Sequence, residues 1–235
     1  MRLASTRLAL CLALCPAWAA AAGWSPEVAF KIKRVSAVRV SPDGSRVAFV
    51  VGSPLMDGEK SEWLSHVHVA RSDGSGSYAL TQGDKSATAP AWSPDGQWIA
   101  FLSSRGAKEP KDAKPNLWRI RVDGGEAEAL TEEKGGIAAL AWSPDGKSIA
   151  FVMTDPKSEA EEKADKEKRD ARVVDEGLKR LGLYVTPVEK DAAGKRAVRR
   201  LSPDTVSVGN AAGGAGGFDW SPDGKHLAFD HQPTP

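Results

Sequence analysis

One tetrapeptide, Ser-Pro-Asp-Gly, begins at Ser41, Ser93, Ser143 and Ser221, and no other feature restricts the possible folds of this chain as much. The copies lie 52, 50 and 78 residues apart. Recurrence at an interval of this size marks a modular architecture. Each copy precedes a short apolar run: Arg46-Val47-Ala48-Phe49, Trp98-Ile99-Ala100-Phe101, Ser148-Ile149-Ala150-Phe151 and His226-Leu227-Ala228-Phe229. Pro presets φ at the second position of a turn, Asp suits the third, and Gly takes the positive φ that closes a hairpin with a bulge. Every copy therefore predicts a corner between antiparallel strands. Trp92, Trp142 and Trp220 precede the last three corners, with Val40 before the first. Their recurrence at one repeat position predicts packing between modules.

Further strands follow each corner. Leu117 to Val122, the turn Asp123-Gly124-Gly125, and Glu126 to Thr131 form a second hairpin. The first repeat matches it with His66-Val67-His68-Val69, Asp73-Gly74 and Tyr78 to Thr81, and the third with Leu183 to Val185 and Val198 to Ser202. Four short antiparallel strands per unit of about 50 residues are the signature of a β-propeller blade. The expected fold is all-β: a partial β-propeller of about three and a half four-stranded blades. A propeller removes its open edges only by closing a ring of roughly four to eight blades. The expectation is therefore the N-terminal part of a longer protein, or the product of a truncated gene, whose open edges invite aggregation.

The third interval exceeds its neighbours, and the surplus coincides with a charge run: 12 of the 16 residues from Lys157 to Arg172 are charged. Pro156 suits a helix start, Ser158 with Glu161 forms a capping box, and Glu159/Lys163, Glu162/Lys166 and Asp165/Arg169 are pairs in the favourable i,i+4 order. A solvated helical insertion at about 155–180, within the third blade, is expected, either as a surface excursion or as a lid or docking element.

The first 22 residues read as a signal peptide. Arg2 and Arg7 precede an apolar run from Leu8 to Leu14, and Ala17-Trp18-Ala19 and Ala20-Ala21-Ala22 offer cleavage sites. A lipoprotein reading of Cys15 is weakened by Leu14, where a small residue is needed. The domain boundaries are thus 1–22 for the leader and 23–235 for the incomplete propeller. Cleavage would remove Cys11 and Cys15, the two cysteines, and leave 30 basic against 31 acidic residues. That balance gives no reason to expect nucleic acid or an anionic membrane as partner. The apolar run falls short of the roughly 20 residues of a membrane span. An exported protein, periplasmic or secreted, is expected.

Candidate chemistry is sparse. Ser221, Asp223 and His226 are triad residue types, but the same Ser and Asp recur in corners without His, which favours a turn. No G-x-S-x-G elbow occurs. His66 and His68 share one strand face and could hold half a metal site, with an exposed strand face as the plainer reading. The glycine-rich stretch Gly209 to Gly217 lacks the Lys and Ser/Thr of a phosphate cradle and reads as a slack connector. The expectation is no catalytic, cofactor-binding or metal-binding residue in this chain, and no cofactor.

The runs Ala141 to Phe151 and Leu117 to Gly125 resemble the propeller repeats of two exported groups: the prolyl oligopeptidase family of serine peptidases, in its acylaminoacyl- and dipeptidyl-peptidase branch, and the TolB envelope proteins. TolB proteins carry a separate α/β domain ahead of the propeller, for which the stretch before Val35 has no room. Asp170 to Asp175 followed by Leu183 to Val188 resembles the peptidase branch. The resemblance implies a propeller of about seven or eight blades over a C-terminal α/β-hydrolase domain, admitting short peptides to a Ser-His-Asp triad outside this chain. It implies a substrate-gating propeller, inactive alone, with peptides as partners through the hydrolase domain; the alternative is a non-catalytic TolB-like binding scaffold. Some members anchor the substrate amine with paired Glu, and Glu161-Glu162 and Glu132-Glu133 are such pairs by type only.

Overall fold

The computed structural model describes residues 28, 30–57, 60–107, 113–167, 179–209 and 217–233. The leader expected over 1–22 lies outside the described residues. Met1–Ile32 forms one compact unit and Lys33–Pro235 another. In the first, the Lys31 N–H donates to the Val28 carbonyl at 3.0 Å.

The second unit consists of consecutive antiparallel sheets. The first blade is β1 (Arg34–Val40), β2 (Arg46–Asp57), β3 (Lys60–Arg71) and β4 (Tyr78–Ala79). The second is β5 (Ala87–Trp92), β6 (Trp98–Ser103), β7 (Asn116–Arg121) and β8 (Glu128–Ala129). The third is β9 (Ile137–Trp142), β10 (Ser148–Thr154), β11 (Leu181–Pro187) and β12 (Arg199–Arg200), with helix α1 (Glu159–Lys166) between β10 and β11. This all-β arrangement of four-stranded antiparallel sheets is that of a partial propeller. Helix α1 lies within the stretch of about 155–180 expected to hold the insertion, and 168–178 lie outside the described residues.

All four corners share one geometry. The Ser hydroxyl donates to the Asp carboxylate two residues on, at 2.5–2.6 Å. The residue after Gly donates its N–H to the same oxygen at 3.0–3.1 Å, and the next residue donates its N–H to the Ser oxygen at 2.9 Å. The Gly takes φ of 67–73°, a conformation that costs any other residue about 1–2 kcal/mol. Successive corners touch, Pro94 lying 3.6 Å from where a Cβ on Gly146 would sit. The hydroxyl of Ser41 and the Ser45 contacts hold the Asp43 carboxyl down at about 2, and the Ser hydroxyl first of all lowers Asp95, Asp145 and Asp223 as well. The unfolded chain takes up protons near pH 3.9, before the folded corners do. The corner contribution is thus present above pH 4 and is lost as the pH falls towards about 2. Urea-unfolding midpoints across that window should fall with pH, and the fall should be shallower in Asp145→Asn.

Alternation along each strand sends residues to opposite faces. Ile99 and Phe101 join Ala48, Val50, Val67 and Val69 in a core between the first two blades. Ala100 and Leu102 join Ile149, Phe151 and Met153 between the second and third. The inner strands of the second and third blades are partly covered by the blade before them, whereas β1 is exposed at six of its seven positions. Val35, Val38 and Val40 are among its exposed residues.

The fourth module departs from the simple count of two strands. β14 (Phe218–Trp220) pairs with β15 (Leu227–Phe229), and β13 (Val206–Val208) pairs with β16 (His231–Pro233). Asp230 bonds Gly209 and Gly217 at once, its carbonyl accepting from Gly209 at 3.0 Å and its N–H donating to the Gly217 carbonyl at 2.7 Å. β13 and β14 therefore both face the stretch of chain from Leu227 to Pro233, one on each side of Asp230. The inner strands of the other blades carry a bulge in the corresponding place, at Ala37 and Ala89 and opposite Val152/Met153. Of the glycine-rich stretch read as a connector, Gly209 and Gly217 are described and both meet Asp230, while 210–216 lie outside the described residues. Gly217 permits the closure, since a Cβ there would collide with the Asp230 carboxylate.

Candidate functional site

The triad-like residues are a corner. Ser221 Oγ donates to Asp223 and accepts from the His226 backbone N–H, so no His ring meets the hydroxyl in these bonds. His66 and His68 are both half-buried, which corrects the expectation of an exposed face. His68 stacks on Phe49, 5.7 Å between ring centres, while His66 Nδ1 is buried without a hydrogen-bond partner. Desolvation first, then the charge of Arg105, lowers the His66 pKa, and desolvation followed by His66 and Lys33 lowers that of His68. Among the described residues no three His, Cys, Asp or Glu are grouped to hold a metal ion, and no helix there is long and apolar enough to cross a membrane.

The repeated tryptophans do more than fill space. Trp92 Nε1 donates to the Arg39 carbonyl at 3.0 Å, Trp142 Nε1 to Ala91 at 3.1 Å, and Trp220 Nε1 to Ala141 at 3.3 Å. Each indole thereby bonds the inner strand of the preceding blade. The donor recurs in the sequence, but its acceptor is a backbone carbonyl that no side-chain pattern announces.

A charged network, also unread from the sequence, locks the outer strands of the second and third blades. Arg119 Nε lies 2.8 Å from Glu128 and Arg119 NH1 3.1 Å from Glu189. Arg196 pairs with the other Glu128 oxygen and donates to the carbonyls of Val188 and Ala129 at 2.8 and 3.2 Å. The two Arg side chains are 9% and 7% exposed. Burial raises the Glu128 pKa, but hydrogen bonds from Arg196 and Arg119 outweigh it and hold the carboxyl below its usual range.

The corners and the turns after the third strands lie at one end of the blades, joined by bonds such as Val122 N–H to the Gln97 carbonyl at 3.0 Å. The longer connections gather at the other end. There α1 is capped as the sequence predicts, the Ser158 N–H donating to Glu161 at 2.6 Å and the Glu161 N–H to Ser158 Oγ at 3.3 Å. Lys179 holds the Glu161 carboxyl at about 2, and Lys134 reaches Glu162 at 3.1 Å from the connection between the second and third blades. The Lys134–Glu162 pair therefore links the insertion to the propeller, while Lys179–Glu161 closes within it. Glu161 and Glu162 are each engaged in an ion pair. Glu132 is exposed and Glu133 half-buried, the latter's pKa raised by burial.

The same end carries a polar cap on each aromatic pair. Phe151 faces Tyr184 across β10 and β11, and the Tyr184 hydroxyl donates to Asp155 at 3.0 Å, with Arg200 2.9 Å from the same carboxylate. Phe101 faces Trp118 across β6 and β7, and there Arg105 stacks over both rings, 5.0 and 5.7 Å from their centres. Nothing in these contacts joins a nucleophile to a base; the arrangement can bind and orient.

Sheets docked face to face around Trp-headed corners define a propeller module. The chain belongs to the TolB beta propeller domain family, whose model matches residues 22–187. Over 79 residues it is 34% identical to dipeptidyl-peptidase 5 of Porphyromonas endodontalis, a match covering 34% of this chain and 11% of that protein. A puromycin-hydrolyzing peptidase of Mycobacterium tuberculosis has a similar fold, with TM-score 0.56 and 17% identity over 85% of this chain and 28% of that one. So does a structure described as a TolB of Agrobacterium tumefaciens, with TM-score 0.50 and 24% identity over 83% of this chain and 57% of that one. The chain thus spans a minor part of the peptidases it matches.

Proposed function

We propose that this chain is the substrate-gating propeller of an exported serine peptidase acting on short peptides, with the catalytic α/β-hydrolase domain lying outside it. The 79-residue match to a dipeptidyl-peptidase supports the reading. The propeller would sit over the hydrolase domain and pass short, flexible peptides while excluding folded proteins. In that domain Ser attacks the carbonyl, His serves as base and then acid, and backbone amides hold the oxyanion. The coding sequence beyond Pro235 is expected to continue through further Ser-Pro-Asp-Gly corners to a G-x-S-x-G elbow. Its full product should release chromophore from dipeptide anilides, while the chain alone should release none. A stop codon after Pro235 in an intact gene would sink the assignment.

The fold shared with the A. tumefaciens protein favours one other reading, a non-catalytic envelope propeller. Stable partners recovered from periplasmic extract, together with a gene lacking a hydrolase domain, would select it.

A further inference from the structure

The second and third blades are built alike up to one position. Four residues after Phe151 comes Asp155, and four residues after Phe101 comes Arg105. In the third blade the Asp155 carboxylate accepts from the Tyr184 hydroxyl and pairs with Arg200. In the second blade a cation stands in its place, and the donor corresponding to the Tyr184 hydroxyl, Trp118 Nε1, is buried without a partner. Arg105 donates only to neutral oxygens, Ser103 Oγ at 3.2 Å and the Gln82 carbonyl at 3.5 Å, and joins no ion pair among the described residues. It is half-buried, and desolvation lowers its pKa. A second orphaned buried atom among the described residues, His66 Nδ1, belongs to a ring that feels the charge of Arg105. Gly106 lies over the indole edge next to Nε1, where a Cβ would come within 3.4 Å. A half-buried guanidinium that donates to neutral oxygens, beside an indole N–H with no partner among the described residues, suits an acceptor with negative charge.

We propose that Arg105, stacked beside the Trp118 indole, binds a carboxylate from outside the chain, that of a short peptide's C-terminus or of an acidic side chain. The planar guanidinium matches a carboxylate in two parallel hydrogen bonds, and the third blade holds the same group in the same place from its own sequence. A cationic ligand is repelled by Arg105.

The test is a titration of the 15N-labelled full chain, at constant ionic strength, with acetyl-trialanine, its C-terminal amide, and acetyl-Ala-Glu-Ala amide. The Trp118 indole resonance, assigned by its loss in Trp118→Phe, is expected to shift saturably with either acid and to stay still with trialanine amide. The tighter of the two acids names the source. Arg105→Gln should weaken the acid response about tenfold or more. Arg105→Asp, which copies the third blade, should move the indole resonance in the bound direction with no ligand present. Equal responses to acid and amide, or an acid response that survives Arg105→Gln, would overturn the proposal. Should Arg105→Asp fail to fold, the Arg105→Gln comparison decides alone.

Discussion

Glu128→Ala is expected to lower stability by about 3 kcal/mol, read as a drop in the urea-unfolding midpoint at protein concentrations low enough to suppress association. Two guanidiniums, each more than nine-tenths covered, share this one carboxylate. Removing it leaves both cations desolvated, a greater loss than that of the attraction itself. Glu189→Ala is the control: its side chain is 82% exposed although it touches the same Arg119, and the expected cost is below about 1 kcal/mol. Similar costs for the two variants would show that water reaches the guanidiniums.

Trp142→Ala should cost about 3 kcal/mol, and Trp142→Phe, which keeps most of the packing, about 1 kcal/mol. The indole packs against the core between the second and third blades and bonds the Ala91 carbonyl. Val40 holds the same place in the first repeat but is 61% exposed, so Val40→Ala should change stability by less than about 0.5 kcal/mol. Equal losses at the two positions would contradict the docking order of the blades, because only Trp142 has a preceding blade within the described residues to bond.

The corners were legible because their chemistry is local: the bonds of the Ser143 hydroxyl and the Asp145 carboxylate close within five residues. The capping box at Ser158 was legible for the same reason. The Trp bonds were half legible. Their acceptors lie 51 to 79 residues away in sequence and are backbone carbonyls, so recurrence located the donor and gave no hint of its partner. Arg119 looks like a surface residue of an alternating strand, and Arg196 like part of a connection between strands. Only the approach of β8 to the loop after β11 removes them from water and gathers them on Glu128, 9 and 68 residues away in sequence. His66 misled for a similar reason: alternation gives the face on which a side chain stands, not whether the connection between two blades covers it.

The amino-acid sequence by itself determined the module, its four strands, its corners and its family resemblance, because turn chemistry and strand alternation act between near neighbours in the chain. The tertiary structure decided which faces are buried, which carbonyl each indole finds, and how Asp230 meets Gly209 and Gly217 at once. Among the described residues it also gave Arg105 and Trp118 no carboxylate of the kind that the next blade supplies from its own sequence. These outcomes depend on surfaces brought together from distant parts of the chain, where desolvation and the supply of partners, rather than local preference, set the energy.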